Sequence, residues 1–138
     1  MSSTLVEAFF SAMENGDRDG VRAFFHPDIV SIDNATGKVS KGIEENMEDM
    51  ELWMNAFSDI KVTCRNHHEV GSTVITEMTF SGINDGDMAA PDGSVIPATG
   101  KSVTMHGCQF CEFAGEQMVS TRQYYDMLAM MAQLGLMG

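Results

Sequence analysis

Residues 42–70 read GIEENMEDMELWMNAFSDIKVTCRNHHEV, and the apolar period changes once along them. Ile43, Met47, Met50, Met54 and Phe57 recur at helical spacing, with acidic residues between them. This predicts a helix over 42–57, its methionine stripe in the core and its acidic side outward. From residue 59 the period becomes two. DIKVTCRNHHEV then reads as a strand, because alternation sends successive side chains to opposite faces.

Downstream, the alternation returns in STVITEMTFSGI (72–83), SVTMHGCQFCEF (102–113) and EQMVSTRQYY (116–125). Gly71-Ser72 and Gly115 mark tight reversals, so these strands are expected to be antiparallel neighbours. Residues 84–101 form a longer connection with Asp92-Gly93 and Pro97 among its turn-formers. A long ordered loop in a compact domain is more often functional than a short one. After Tyr125 the period turns helical again in MLAMMAQLGL.

Upstream, Thr4 can cap a first helix with Leu5, Phe9, Ala12 and Met13 on one stripe, ending before Gly16. Asp17 is the expected cap of a second, short helix, RDGVRAFF, which His26-Pro27 ends. DIVSID (28–33) predicts a short strand and NATGKVSKG (34–42) a turn-rich loop. The order is helices, a run of strands, then a short helix. It predicts one α+β domain over 1–138, with N-terminal helices packed on a strongly curved antiparallel sheet and a short C-terminal helix. A sheet bent around a helix leaves a cone with an open mouth, a natural small-molecule pocket.

Composition narrows the function. With 138 residues the chain can bury one real core, and its 43% hydrophobic content is that of a globular protein. The net charge of -12, from 8 basic against 20 acidic residues, repels phosphate backbones and anionic membranes. No apolar run is long enough to span a bilayer, and the first residues lack a basic n-region, so the expected location is the cytoplasm. The 3 cysteines are an odd count, as expected of free thiols. Cys108 and Cys111 are spaced C-x-x-C, but on a strand they point to opposite faces. A redox pair belongs at a helix start, and no second pair completes a zinc site. Asn34-Ala-Thr36 fits a glycosylation sequon that a cytoplasmic protein would not use, and no phosphate-cradling loop is present.

Short stretches in this order resemble the SnoaL-like polyketide cyclases of the NTF2-like superfamily, which share the ketosteroid isomerase-like fold. WMNAFSDI is similar to the family's Trp…Phe-Pro-Asp segment, with Ser58 for proline. FSGINDGDM resembles its Gly-Thr-His-x-Gly turn, keeping Gly82 and Gly86 while Ile83 and Asn84 replace threonine and histidine. IPATGKSV is similar to its Ala-Thr-Gly-basic stretch, and YYDMLAMMAQLGL to its closing aspartate with Gln-Leu-Gly. The resemblance implies an NTF2-like cone and no metal or organic cofactor. It also implies an intramolecular aldol condensation of a polycyclic ketide, with the closing aspartate as general acid/base. The matching residue is Asp126. Many members of the superfamily pair through the outer sheet face, so a homodimer is expected.

Asp126 has two readings: a catalytic carboxylate at a strand end, or the N-cap of the last helix. Ser120, Arg122, Tyr124 and Asp126 share one strand face, and a close Arg122 would keep Asp126 ionised. His106 shares a face with Cys108 and Phe110. There it is a proton donor if that face lines the cavity, and a hydrogen-bonded core histidine otherwise. His67 and His68 point opposite ways. Asp33 ends the first strand, a placement similar to the base of ketosteroid isomerases, or it is a turn-former beside Asn34. The isomerase oxyanion hole maps onto Phe9 and near Cys108, neither of which can replace its tyrosine and protonated acid. Val74, Thr76, Met78 and Phe80 form the more apolar face of their strand. With Trp53, Phe9 and Phe110 they predict a flat-walled site for a small hydrophobic or aromatic ligand, continuous with the core. Two functions follow: a cofactor-independent acid/base enzyme, or a binding module of the same fold.

Overall fold

The structure is a computed structural model, and it describes residues 2–90 and 92–137. Helix α1 spans Ser2–Glu14 and buries Val6, Phe9, Phe10 and Met13. It begins at Ser2, so Thr4 lies within its first turn and is not its cap. Helix α2, Arg18–Ala23, is capped as expected: Asp17 accepts a hydrogen bond from the Gly20 amide at 2.9 Å. It stops before Phe25, which is buried and already belongs to strand β1, Phe25–Asp33. Strand β2, Lys38–Lys41, lies in a segment expected to be a loop. It carries little apolar alternation because it is an edge strand, held to β1 by backbone pairing.

Helix α3, Gly42–Ala56, is followed by β3, Ser58–Val70, at the change of period. Strand β4 is Thr73–Ile83, β7 is Ser102–Ala114 and β8 is Gln117–Tyr125. Gly71 and Gly115 turn the β3–β4 and β7–β8 hairpins with φ of 62° and 65°, where a side chain is strained. The connection 84–101 holds a small hairpin of β5, Met88–Ala89, and β6, Val95–Ile96. Asn84 anchors it from a fully buried position. Its amide donates to the carbonyls of Ala56 and Gly86, and its oxygen accepts from the amide and hydroxyl of Thr99. Helix α4 is Met127–Gln133.

The six main strands run in the order β2-β1-β8-β7-β4-β3. Their pairings are antiparallel except one: β1 runs parallel to β8, a departure from the all-antiparallel sheet expected. In a flat sheet the outermost strands would lie roughly 24 Å apart, at about 4.8 Å per spacing. Yet α3 packs against both β2 and β3, the two edge strands. The sheet therefore curls around the helix, and α1 closes the β3–β4 side. Among the described residues, no helix is long and apolar enough to cross a membrane.

Candidate functional site

The curled sheet and its helices leave two adjoining spaces. The inner chamber, about 120 Å³, is walled by apolar side chains that include Phe9, Phe25, Met78, Phe80, Met105 and Met118. The outer groove, about 690 Å³, runs between the C-terminal half of α3, the β5–β6 hairpin and α4. Five residues border both: Asp33, Lys38, Asp49, Trp53 and Tyr125. These five form the threshold between the two spaces.

The two carboxylates at the threshold differ in how they are held. Asp33 ends β1 and is 8% exposed. Its Oδ1 accepts from the amides of Ala35 (3.0 Å) and Thr36 (3.3 Å), which closes the turn into β2. Its Oδ2 accepts from the Tyr125 hydroxyl at 2.8 Å and from the Gln123 amide at 3.3 Å. Burial, the nearby Asp33 charge and this hydrogen bond push the Tyr125 hydroxyl well above its usual pKa. Asp49 is one turn of α3 before Trp53, and Lys38 Nζ lies 3.2 Å from its Oδ1. Burial raises the Asp49 pKa, the Lys38 ammonium opposes that rise, and the Asp33 charge adds to it. Its Oδ2 makes no hydrogen bond among the described residues.

Trp53 anchors the aromatic side of the threshold. Its ring stacks on Phe57 at 5.8 Å and meets Phe80 and Tyr125 edge-on at 5.6 and 5.7 Å. The chamber's polar lining is mostly self-satisfied. Thr121 donates to Ser31 (2.7 Å), Ser31 to Asn46 (2.5 Å), and the Asn46 amide to the carbonyls of Ser40 and Gly42. Gln109 is different. It is 5% exposed, it lines the chamber, and its side-chain amide makes no hydrogen bond among the described residues. Because it borders the chamber, this amide is open to a ligand there.

The sequence-predicted residues divide into two groups. Phe9, Asp33, Trp53, Met78 and Phe80 line the chamber. Thr76 faces inward but is spent in a hydrogen bond shared with His67 at 2.9 Å, and it does not border the chamber. Phe110 and Arg122 lie on the outer face, with the guanidinium 5.1 Å from the Phe110 ring centroid, and neither borders the cavity. His106 and Tyr124 reach the chamber's border, but they are exposed and belong to the outward set. The His106 Nδ1 pairs with the Thr79 hydroxyl at 3.0 Å on that side. Tyr124 packs edge-on against Phe110.

Asp126 is exposed, its carboxylate accepts from the Ala129 amide at 2.9 Å, and it borders neither space. Among the described residues no ion pair joins it to Arg122. Its geometry is that of the α4 cap. Cys108 and Cys111 do point to opposite faces; all three cysteines are free, and burial pushes the Cys111 thiol up to about 12, making it a poor nucleophile. His67 turns inward beside Glu7, at 3.4 Å, and His68 outward. Among the described residues no three His, Cys, Asp or Glu side chains gather as a metal site.

Sequence reasoning missed Asp49, Gln109, Gln123 and Tyr125. The helix pattern puts Asp49 on the outer acidic side of α3, but the adjoining β2 edge and Lys38 cover that position. The other three were missed through strand phase. On β7, Val103, Met105, Gln109, Cys111 and Phe113 are the buried set, so His106 and Phe110 face out. On β8 the register shifts opposite Glu112/Phe113, which puts Thr121, Gln123 and Tyr125 inward in place of Arg122 and Tyr124. The alternation Met105, Gly107, Gln109 was a usable signal on β7; the bulge on β8 left none.

This fold is the NTF2-like, ketosteroid isomerase-like one: an α+β cone with helices packed on a curled sheet. The sequence matches the family described as SnoaL-like polyketide cyclase over residues 3–134, and the chain belongs to that family. No curated protein sequence matches it. Among solved structures, TsrD from Streptomyces laurentii is 24% identical, with a TM-score of 0.82 over 98% of this chain and 95% of that one. IdmH from Streptomyces antibioticus, a candidate polyketide cyclase, is 20% identical, with a TM-score of 0.80 over 98% and 99%. An LEH-like epoxide hydrolase of M. tuberculosis is 21% identical, with a TM-score of 0.72 over 95% and 86%. At these identities the structural likeness establishes the fold.

Proposed function

We propose that the protein is a cofactor-independent acid/base enzyme acting on a small hydrophobic carbonyl compound, by aldol-type cyclisation, isomerisation or dehydration. One observation carries this reading: Asp33 and Asp49 meet Lys38, Tyr125 and Trp53 where an apolar chamber and a wider groove adjoin. Asp49 is the proton acceptor, because one of its oxygens is unpaired and burial moves its pKa toward the working range. It takes the proton from the carbon beside the carbonyl, and the electron pair moves onto the carbonyl oxygen. The Gln109 amide donates to that oxygen as charge develops. Asp49 then returns the proton to carbon or to a new alkoxide. Asp33, saturated with hydrogen bonds, positions Tyr125 and Gln123.

The alternative, a non-catalytic ligand-binding module, draws support from Asp126, whose carboxylate is exposed and engaged as a cap. Deuterium uptake separates the two. With 2-tetralone in D₂O, NMR should show exchange of the acidic C–H faster than in buffer alone. Asp49→Asn should slow it about 100-fold or more. Exchange at the buffer rate, or equal exchange by Asp49→Asn, would leave the binding module as the better reading. We also propose that two copies pair through the outer sheet face that carries Ile75, Phe110 and Tyr124.

A further inference from the structure

The sizes of the two spaces constrain the ligand. Pockets for drug-sized molecules measure about 300–1,000 Å³. The groove, at about 690 Å³, is in that range, whereas the chamber, at about 120 Å³, falls below it. A ligand with its carbonyl at the threshold can place only a small group in the chamber. Its larger part must lie in the groove. Among the described residues, the groove's charged residues are Asp33, Lys38 and Asp49, all at the threshold. Beyond them, apart from the β1–β2 turn with Thr36, the walls are mainly apolar: Leu52 from α3, Met88 and Ile96 from the hairpin, and Met131 from α4. Thioether side chains conform to irregular shapes, so these walls suit a long or variable apolar body.

We infer that the β5–β6 hairpin and α4 form a second subsite, which takes the uncharged apolar tail of an elongated substrate whose carbonyl lies near its other end. The inference rests on the reading of the threshold proposed above. The groove adjoins the chamber along the five shared residues, and a molecule that reaches across them occupies both. A compact substrate confined to the chamber would leave the groove's apolar walls in water.

Trp53 is the single tryptophan of the chain and borders both spaces, so its fluorescence reports occupancy. The test is titration of the intact protein with methyl ketones from 2-butanone to 2-decanone. The Kd should fall roughly two- to fourfold per added methylene. Leu52→Glu, at a position 43% exposed, and Ala89→Trp, which fills the groove, should each flatten that slope while 2-butanone still binds. A parent protein without chain-length dependence would overturn the subsite, as would variants that both keep the parent slope. Binding is read without turnover, so the two ideas fail separately. Absent deuterium exchange rejects the catalytic reading and leaves the slope standing; a flat slope with intact exchange rejects the subsite alone.

Discussion

Asp49 sits between opposing influences, burial raising its pKa and Lys38 lowering it. The net rise means that it keeps its proton to higher pH than an ordinary aspartate at about 3.9. A base works deprotonated, so kcat/KM for exchange should climb through an acid limb displaced upward from that value. Lys38→Met removes the charge that favours the carboxylate and should move the limb to still higher pH. Asp49→Asn should abolish the limb with the activity. Stability runs the other way. The folded state holds this proton more tightly than the unfolded state, so the contribution is fully present below the unfolded pKa and lost as pH rises through the folded one. Thermal melts of Asp49→Asn across the acid range should lack that loss. None of this was legible in the helix pattern, where Asp49 is one acidic residue among several. Asp33 was legible in part: its turn-forming reading holds through Oδ1, while the oxygen that a base would use, Oδ2, is taken up by Tyr125 and Gln123.

At the scale of elements, α4 and β8 separate what a pattern can and cannot reveal. The cap of α4 was readable at Asp126 because capping is a local hydrogen bond between a side chain and an amide three residues on. Asp126→Ala should cost about 1 kcal/mol in chemical denaturation, while Asp126→Asn, which keeps an acceptor oxygen, should cost much less. Neither should change deuterium exchange in the folded protein, because Asp126 borders neither cavity. A large loss of exchange in Asp126→Asn would return that residue to the mechanism. On β8 the extent of the strand was correct from residue 117 to Tyr125, but its inward face was not. A bulge adds one residue against the neighbouring strand and reverses every side chain beyond it. The outward pair of Arg122 over Phe110 looked like a pocket wall because aromatic and cationic residues suit either face.

For the whole molecule, pairing through the outer sheet face is checked by light scattering. The expected mass is that of two 15.1 kDa chains, and Phe110→Glu should shift it toward one. A monomer in the parent protein would reject the pairing. The order of helices and strands and the cone were accessible from the order of periods, because helix and strand periodicities follow from backbone geometry acting over a few residues, whereas the family showed only in short stretches that resemble it. Sequence by itself therefore determined the α+β order, the hairpin turns and the apolar floor of Phe9, Trp53, Met78 and Phe80. Only the tertiary structure decided which polar groups meet inside. Asp33, Lys38, Asp49, Gln109 and Tyr125 come from four strands and one helix, and their approach depends on sheet curvature, the parallel β1–β8 pairing and the bulge. Those are sums of long-range contacts, and no short stretch of chain contains them.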